Sequence, residues 1–163
     1  MSKRTQKLIP SLWYAKDAEA AARFYAATFP DSRVDRVTPM PTDSPSGPAG
    51  SVQVVELTLF GQPVQAMTAG PHHDFNDAFS FTVLCDTQAE IDRYWNAILE
   101  NGGKPQACGW ITDRWGVRWQ IVPNMMFEWF NDKDRAKAKR VADEMMNQIK
   151  FDISKLQAAF EGR

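Results

Sequence analysis

Histidine and cysteine are scarce in this chain, two of each in 163 residues, and neither pair has a metal-site spacing. Cys85 and Cys108 form no CxxC, which excludes a zinc knuckle and a thioredoxin-type redox motif. Cys85 lies in an apolar run and reads as a small buried hydrophobe, whereas Cys108, before Gly109, reads as a more exposed structural thiol. His72-His73 sits in a loop after Gly70-Pro71. Adjacent residues point their rings apart unless the loop bends, so a solvated loop is the first reading and an acid, base or metal ligand the second. An excess of either charge is also lacking. Nineteen basic against twenty acidic residues give a net charge of −1, which removes the electrostatic case for nucleic acid or an anionic membrane. No run approaches the roughly 18 apolar residues of a membrane span. The stretch MSKRTQKLIP has no apolar signal-peptide core, so the expectation is a cytoplasmic protein. There is no P-loop or nucleophile elbow, and Gly47-Pro48-Ala49-Gly50 lies in a proline-rich loop rather than between a strand and a helix.

What is present is patterned hydrophobicity: 44% hydrophobic and 24% charged residues, enough for a full core. Three of six tryptophans fall in Cys108–Pro123, where Trp110-Ile111-Thr112 and Val117–Val122 flank a turn at Arg114–Gly116 and predict a hairpin. Val117, Trp119 and Ile121 face one way, Arg118, Gln120 and Val122 the other. Upstream, Leu8–Tyr14 is a strand, and Asp17 is expected to cap a helix over Ala18–Phe29. Arg33–Val37 is a short strand, and Thr38–Gly50 reads as a mobile loop. Ser51–Leu59 alternates, with Val55, Leu57 and Leu59 opposite Val54, Glu56 and Thr58. Phe60-Gly61-Gln62 turns it into Pro63–Met67. Phe79–Cys85 alternates again, Thr87 caps a helix over Gln88–Glu100, and the tryptophan hairpin follows. The plan is βαβββ twice. Sliding the chain by about 70 residues lays WYAKDAEAAARFY over VLCDTQAEIDRYW, and the pattern sets Val55-Glu56-Leu57 against Trp119-Gln120-Ile121. In the tail, Asp132 or Asp134 starts an amphipathic helix carrying Val141, Met145, Met146 and Ile149, and Asp152 starts a shorter one over Ile153–Phe160.

Phe60-Gly61-Gln62, Gly70-Pro71, Phe75-Asn76, Ser80-Phe81, Ile91–Trp95, Cys108-Gly109-Trp110, Gly116 and Trp119–Pro123 together resemble the vicinal-oxygen-chelate (glyoxalase/bleomycin-resistance/dioxygenase) superfamily. Within it the likeness is to the PhnB-like group, named for a 3-demethylubiquinone-9 3-methyltransferase-type domain. The resemblance covers about residues 7–125, leaving 126–163 as a C-terminal helical extension. It implies an α+β fold in which two βαβββ modules form a cupped mixed sheet with helices outside, a small-molecule ligand in the cup, and a homodimer with modules shared between chains. Metal-using relatives place His or Glu in the first and last core strands of each module. Carried over, those positions are Pro10, Glu56, Ser80 and Gln120, a set that cannot hold a catalytic metal.

By parity, Tyr14, Glu56, Ser80, Thr82, Arg118 and Gln120 share the cup face, with Trp110 and Trp115 as walls. Trp13 and Trp119 are assigned to the core. Asp113 is a turn former, a partner of Arg114, or a contact to another chain. Glu56 and Arg118 either neutralise one another or serve a ligand, Arg118 clamping an oxygen and Glu56 acting as a base. The reading is a metal-free, cofactor-free binding protein. Its rivals are a lyase, isomerase or dioxygenase-like enzyme using Glu56 with a metal recruited by His72 or His73, and a dimeric interaction module using the methionine-bearing tail. Methyl transfer finds no supporting motif.

Overall fold

The computed structural model describes residues 6–163; the first five residues of the stretch read for a leader lie outside it. The chain divides into two compact units, one ending at Asp74 and the other beginning at Phe75. The first unit runs β1 (Ser11–Tyr14), α1 (Ala18–Thr28), β2 (Arg33–Pro39), β3 (Gln53–Leu59) and β4 (Gln62–Thr68). Its sheet has the order β1-β4-β3-β2, with β1 parallel to β4 and the other pairs antiparallel. Phe60 and Gly61 join β3 to β4, both with positive φ (48° and 73°), the two-residue turn whose twist suits a hairpin. The cost of φ > 0 at Phe60 is offset by its ring packing on Phe29, 5.1 Å between centroids.

Helix α1 buries Ala18, Ala21, Ala22 and Tyr25, spaced i, i+3, i+4, i+7, and the small alanines let it lie close over the sheet. The covered sheet face carries Leu12, Tyr14, Val55, Leu57, Val64 and Ala66. Two expectations are corrected here. Asp17 does not cap α1 with its side chain: it sits at φ 67°, outside the extended backbone a cap requires. The Ala18 N–H donates instead to Thr68 Oγ1 at 3.0 Å, so the end of β4 supplies the cap. Parity in β1 is also reversed. Tyr14 is 2% exposed, its hydroxyl 3.1 Å from that of Tyr25, and it belongs to the helix-covered face; Trp13 is the residue on the open face. The 38–50 segment is a laced connection, with Met40 N–H donating to the Val52 carbonyl, Gly50 N–H to that of Met40, and Ala49 N–H to Asp43.

The second unit repeats the plan: β5 (Phe81–Cys85), α2 (Gln88–Glu100), β6 (Lys104–Pro105), β7 (Trp110–Thr112) and β8 (Arg118–Pro123), in the order β5-β8-β7-β6. Thr87 and Glu90 close a reciprocal capping box at the start of α2, satisfying two otherwise orphaned N–H groups. The α+β plan of two βαβββ modules followed by a helical tail is thus the one the chain adopts. The tail comprises α3 (Met126–Phe130), α4 (Arg135–Met146) and α5 (Ile153–Glu161), with Asp134 and Asp152 as side-chain caps. It belongs to the second unit. Cys108 and Gly109 donate backbone hydrogen bonds to Gln148 and Ile149, and Phe151 is fully buried against Gly109. Gly109 has φ +76°, and a side chain there would run into the Phe151 ring. Gln88 holds the same segment through the Phe151 carbonyl and the Ile153 N–H. Asp92 is held below the usual carboxylate range by hydrogen bonds from Lys150 (2.6 Å) and then Gln88. Val141 is buried, but Met146 and Ile149 of the expected apolar stripe are exposed.

Cys85 is buried under α2, and burial, helped by the charges of Glu90 and Asp86, pushes its thiol up to about 12. Between the unfolded-chain value of 9.0 and about 12, the unfolded chain releases this proton while the folded chain keeps it, so stability falls with rising pH across that window. Native protein at pH 8 is expected to titrate one thiol per chain with an aromatic disulfide reagent, Cys108, and two after denaturation. Two fast thiols in the native state would contradict this burial.

Candidate functional site

Covering one face of each sheet decides what the other face displays, because register partners lie on the same side. In the first module three rows cross the open face, one to the next separated by roughly 7 Å along the strands. At one end stand Trp13, Met67, Val54 and Thr38; in the middle Ser11, Gln65, Glu56 and Arg36; at the other end Pro63, Thr58 and Arg33. The middle row is a hydroxyl, an amide, a carboxylate and a guanidinium in register on four adjacent strands. Arg36 donates to Glu56 Oε2 from Nε (2.8 Å) and pairs with it through Nη2 (2.7 Å). A register shift between Val34 and Arg36 adds Asp35, whose Oδ1 pairs with Arg33 Nε at 2.7 Å while Oδ2 accepts from the Thr58 hydroxyl at 2.7 Å. Arg33, Asp35, Arg36, Glu56 and Gln65, with Gln6, Ile9 and Pro63, line a groove of about 540 Å³. At the opposite end Trp13 donates from Nε1 to the Gly70 carbonyl (2.9 Å) and lies 5.0 Å from the His72 ring. The His72 and His73 rings are 4.2 Å apart, so the loop is bent, the condition under which adjacent rings do not diverge.

The second module displays Thr82, Gln120 and Trp110 in its middle row, Leu84 and Val122 beyond them, and Arg118 with Thr112 on the other side. Gln120 Nε2 donates to Ser80 Oγ at 2.8 Å. Arg118 is 19% exposed. Its Nε binds Asp77 Oδ1 at 2.7 Å, and Nη1 donates to the carbonyls of Phe75 and Gly116, so it staples the segment before β5 to the β7–β8 turn. Glu56 and Arg118 are therefore each met inside their own unit, Glu56 by Arg36 and Arg118 by Asp77. Trp115 lies under the Arg114 guanidinium, 5.3 Å from its ring centroid. Asp113 is buried, and of its three readings the turn former is the one realised. Oδ1 accepts the backbone N–H of Trp115 (2.9 Å) and Val117 (3.0 Å), and Oδ2 accepts Trp119 Nε1 (3.0 Å).

The model of one protein family, 3-demethylubiquinone-9 3-methyltransferase, matches residues 6–122. The chain belongs to that family. Its fold and its relatives place it in the PhnB-like branch of the vicinal-oxygen-chelate superfamily. The PhnB protein from Bacillus cereus, which carries the same methyltransferase name, is 27% identical with a TM-score of 0.63, over 72% of this chain and 99% of that one. The fosfomycin resistance protein FosX from Listeria monocytogenes shares the fold at 13% identity and a TM-score of 0.57, over 78% of this chain and 98% of its own. FosX from Mesorhizobium loti does so at 15% and 0.51, over 72% and 90%. No curated protein matches the chain.

Superposing the two strand orders of this PhnB-like chain revises one correspondence. β4, not β3, is the strand equivalent to β8, because each lies between the parallel first strand and the hairpin partner. Phe60-Gly61 followed by Gln65 thus matches Trp115-Gly116 followed by Gln120, an aromatic-Gly-x-x-x-Gln repeat that sequence reasoning passed over. Gln65 stands where Gln120 stands, and Glu56 corresponds to Trp110. The setting of Val55-Glu56-Leu57 against Trp119-Gln120-Ile121 is corrected accordingly. Side chains in the middle rows of the first and last strands are then Ser11, Gln65, Thr82 and Gln120: two hydroxyls and two amides. Such neutral oxygens are weak ligands for divalent metals that favour imidazole or thiolate, such as Zn²⁺ and Ni²⁺. Among the described residues no three His, Cys, Asp or Glu side chains gather as a metal-binding group. The fold lends methyl transfer no support either, since the strand-to-helix turns Ala15–Asp17 and Asp86-Thr87 contain no glycine.

Replacing Asp113 removes three hydrogen bonds to a charged acceptor and strands a buried indole N–H. Asp113→Ala is expected to lower stability by about 3 kcal/mol, read from the denaturant midpoint. A loss below about 1 kcal/mol would show that β8 does not depend on this carboxylate.

Proposed function

We propose that the protein binds a small polar molecule on the open face of its first module, without a resident transition metal. The observation that carries the reading is the in-register set Gln65–Glu56–Arg36 lining a groove of about 540 Å³, a volume in the range of small-molecule sites. Membership of a superfamily whose fold also serves fosfomycin resistance supports a binding role, and the neutral Gln65 and Gln120 support binding without a metal. Glu56 acts here as a paired recognition group held by Arg36 rather than as a base. In the second module Ser80, Thr82, Trp110, Trp115, Arg118 and Gln120 are the side chains proposed to meet a ligand, Arg118 mainly by holding the 75–77 segment in place. Tyr14 drops out, being buried under α1. A homodimer working in the cytoplasm completes the proposal. Among the described residues no helix is long and apolar enough to cross a membrane.

A melting screen against small polar compounds tests it. At a hundredfold excess over Kd, a ligand contributes about 2.7 kcal/mol and is expected to raise Tm by several degrees, unconsumed, in wild type but not in Arg36→Gln. Turnover of the stabilising compound, or an equal shift in the variant, would contradict the reading.

A further inference from the structure

The groove of the first module carries its charges in an unusual balance: two guanidiniums, Arg33 and Arg36, and two carboxylates, Asp35 and Glu56. The four are not equivalent. The arginine side chains are 67% and 65% exposed, whereas Asp35 and Glu56 are 33% and 26% exposed. The carboxylates form the lower layer: Asp35 accepts from the hydroxyl of buried Thr58, and Glu56 stands between Gln65 and Arg36 in the sheet register. The arginines form an upper layer of long side chains in solvent-screened pairs. Such pairs contribute little, so turning a guanidinium from its carboxylate to a ligand costs little. A purely anionic ligand meets Arg33 and Arg36 but also the field of Asp35 and Glu56; a purely cationic one meets the reverse. Only a molecule bearing both signs satisfies both layers.

We propose, building on the binding role assigned to this groove, that its ligand class is a small zwitterion. The cationic nitrogen sits on Glu56 and Asp35, and the oxyanion lies under the planar forks of Arg33 and Arg36. Gln65, next to Glu56 in the row, offers both a donor and an acceptor to the link between the two charges. Ile9 and Pro63 supply the apolar contact opposite. The segment Arg33–Arg36 is thereby a specificity element, because the register shift in β2 is what brings Asp35 and Arg36 to the groove together.

The test compares γ-aminobutyrate, butyrate and butylammonium, which share one carbon chain and differ only in charge. Titration calorimetry at low salt is combined with amide chemical-shift mapping of the intact protein. γ-Aminobutyrate is expected to bind at least tenfold more tightly than either singly charged analogue, with shifts centred on Gln65, Glu56 and Arg36. Glu56→Gln and Arg36→Gln are each expected to weaken it at least tenfold at unchanged far-UV circular dichroism. Equal affinity for butyrate or butylammonium, with the same residues shifting, overturns the zwitterion and leaves the groove a binding site. No binding by any of the three, or shifts confined to other surfaces and unaltered in both variants, overturns the zwitterion and the groove together.

Discussion

A strand with one covered face has no freedom in what it shows on the other, and the architecture of this chain rests on that constraint. Once α1 covers Leu12, Val55, Leu57, Val64 and Ala66, the residues between them must form ordered rows on the open side. In the second module Trp119 and Ile121 are wholly buried, and the same alternation sends Arg118 and Gln120 to the open side. Asp113 fixes that register by a tie from the turn to the indole of Trp119. The open face of each module is therefore a consequence of how its apolar face is packed.

The duplicated modules have kept geometry and diverged in chemistry. Both hold a glutamine at the centre of the last strand, beside a hydroxyl on the first strand: Gln65 with Ser11, Gln120 with Thr82. The neighbouring hairpin strand differs: Glu56 stands in one module where Trp110 stands in the other. The outcome is a charged face in the first module and an aromatic, amide-bearing face in the second. In the second module Arg118 is spent on holding the backbone of Phe75 and Gly116 and the carboxylate of Asp77.

Much of this was legible in the sequence, and the failures have identifiable causes. Long alternating runs such as Gln53–Leu59 and Arg118–Pro123 carry enough positions for the apolar face to be unambiguous, so the pattern alone puts Glu56 and Gln120 on the open side. β1 has four residues, with Trp13 and Tyr14 side by side. Hydrophobicity cannot rank two adjacent aromatics, and what selects Tyr14 for the core is a hydroxyl partner on α1, Tyr25, eleven residues away. Asp17 looked like a helix cap because composition does not reveal backbone sign; the actual acceptor, Thr68, is fifty residues on. Apolar pattern alone sets Glu56 against Gln120, which matches the third strand of one module to the fourth of the other. Anchoring the match on the glycines, Gly61 and Gly116, leads directly to Gln65 and Gln120. The pairs Arg36–Glu56 and Arg33–Asp35 depend on a register shift that no local pattern encodes.

In the proposed binding role the open faces recognise ligands through side chains of the chain itself, with the neutral amides of Gln65 and Gln120 at the centre of the last strands. Elemental analysis of untagged protein, purified with and without added Zn²⁺, Ni²⁺, Mn²⁺ and Fe²⁺, tests it most directly. Well under one equivalent of any of these per chain is expected after desalting. One tightly retained ion per chain, lost on replacing Gln65 or Gln120, would contradict it.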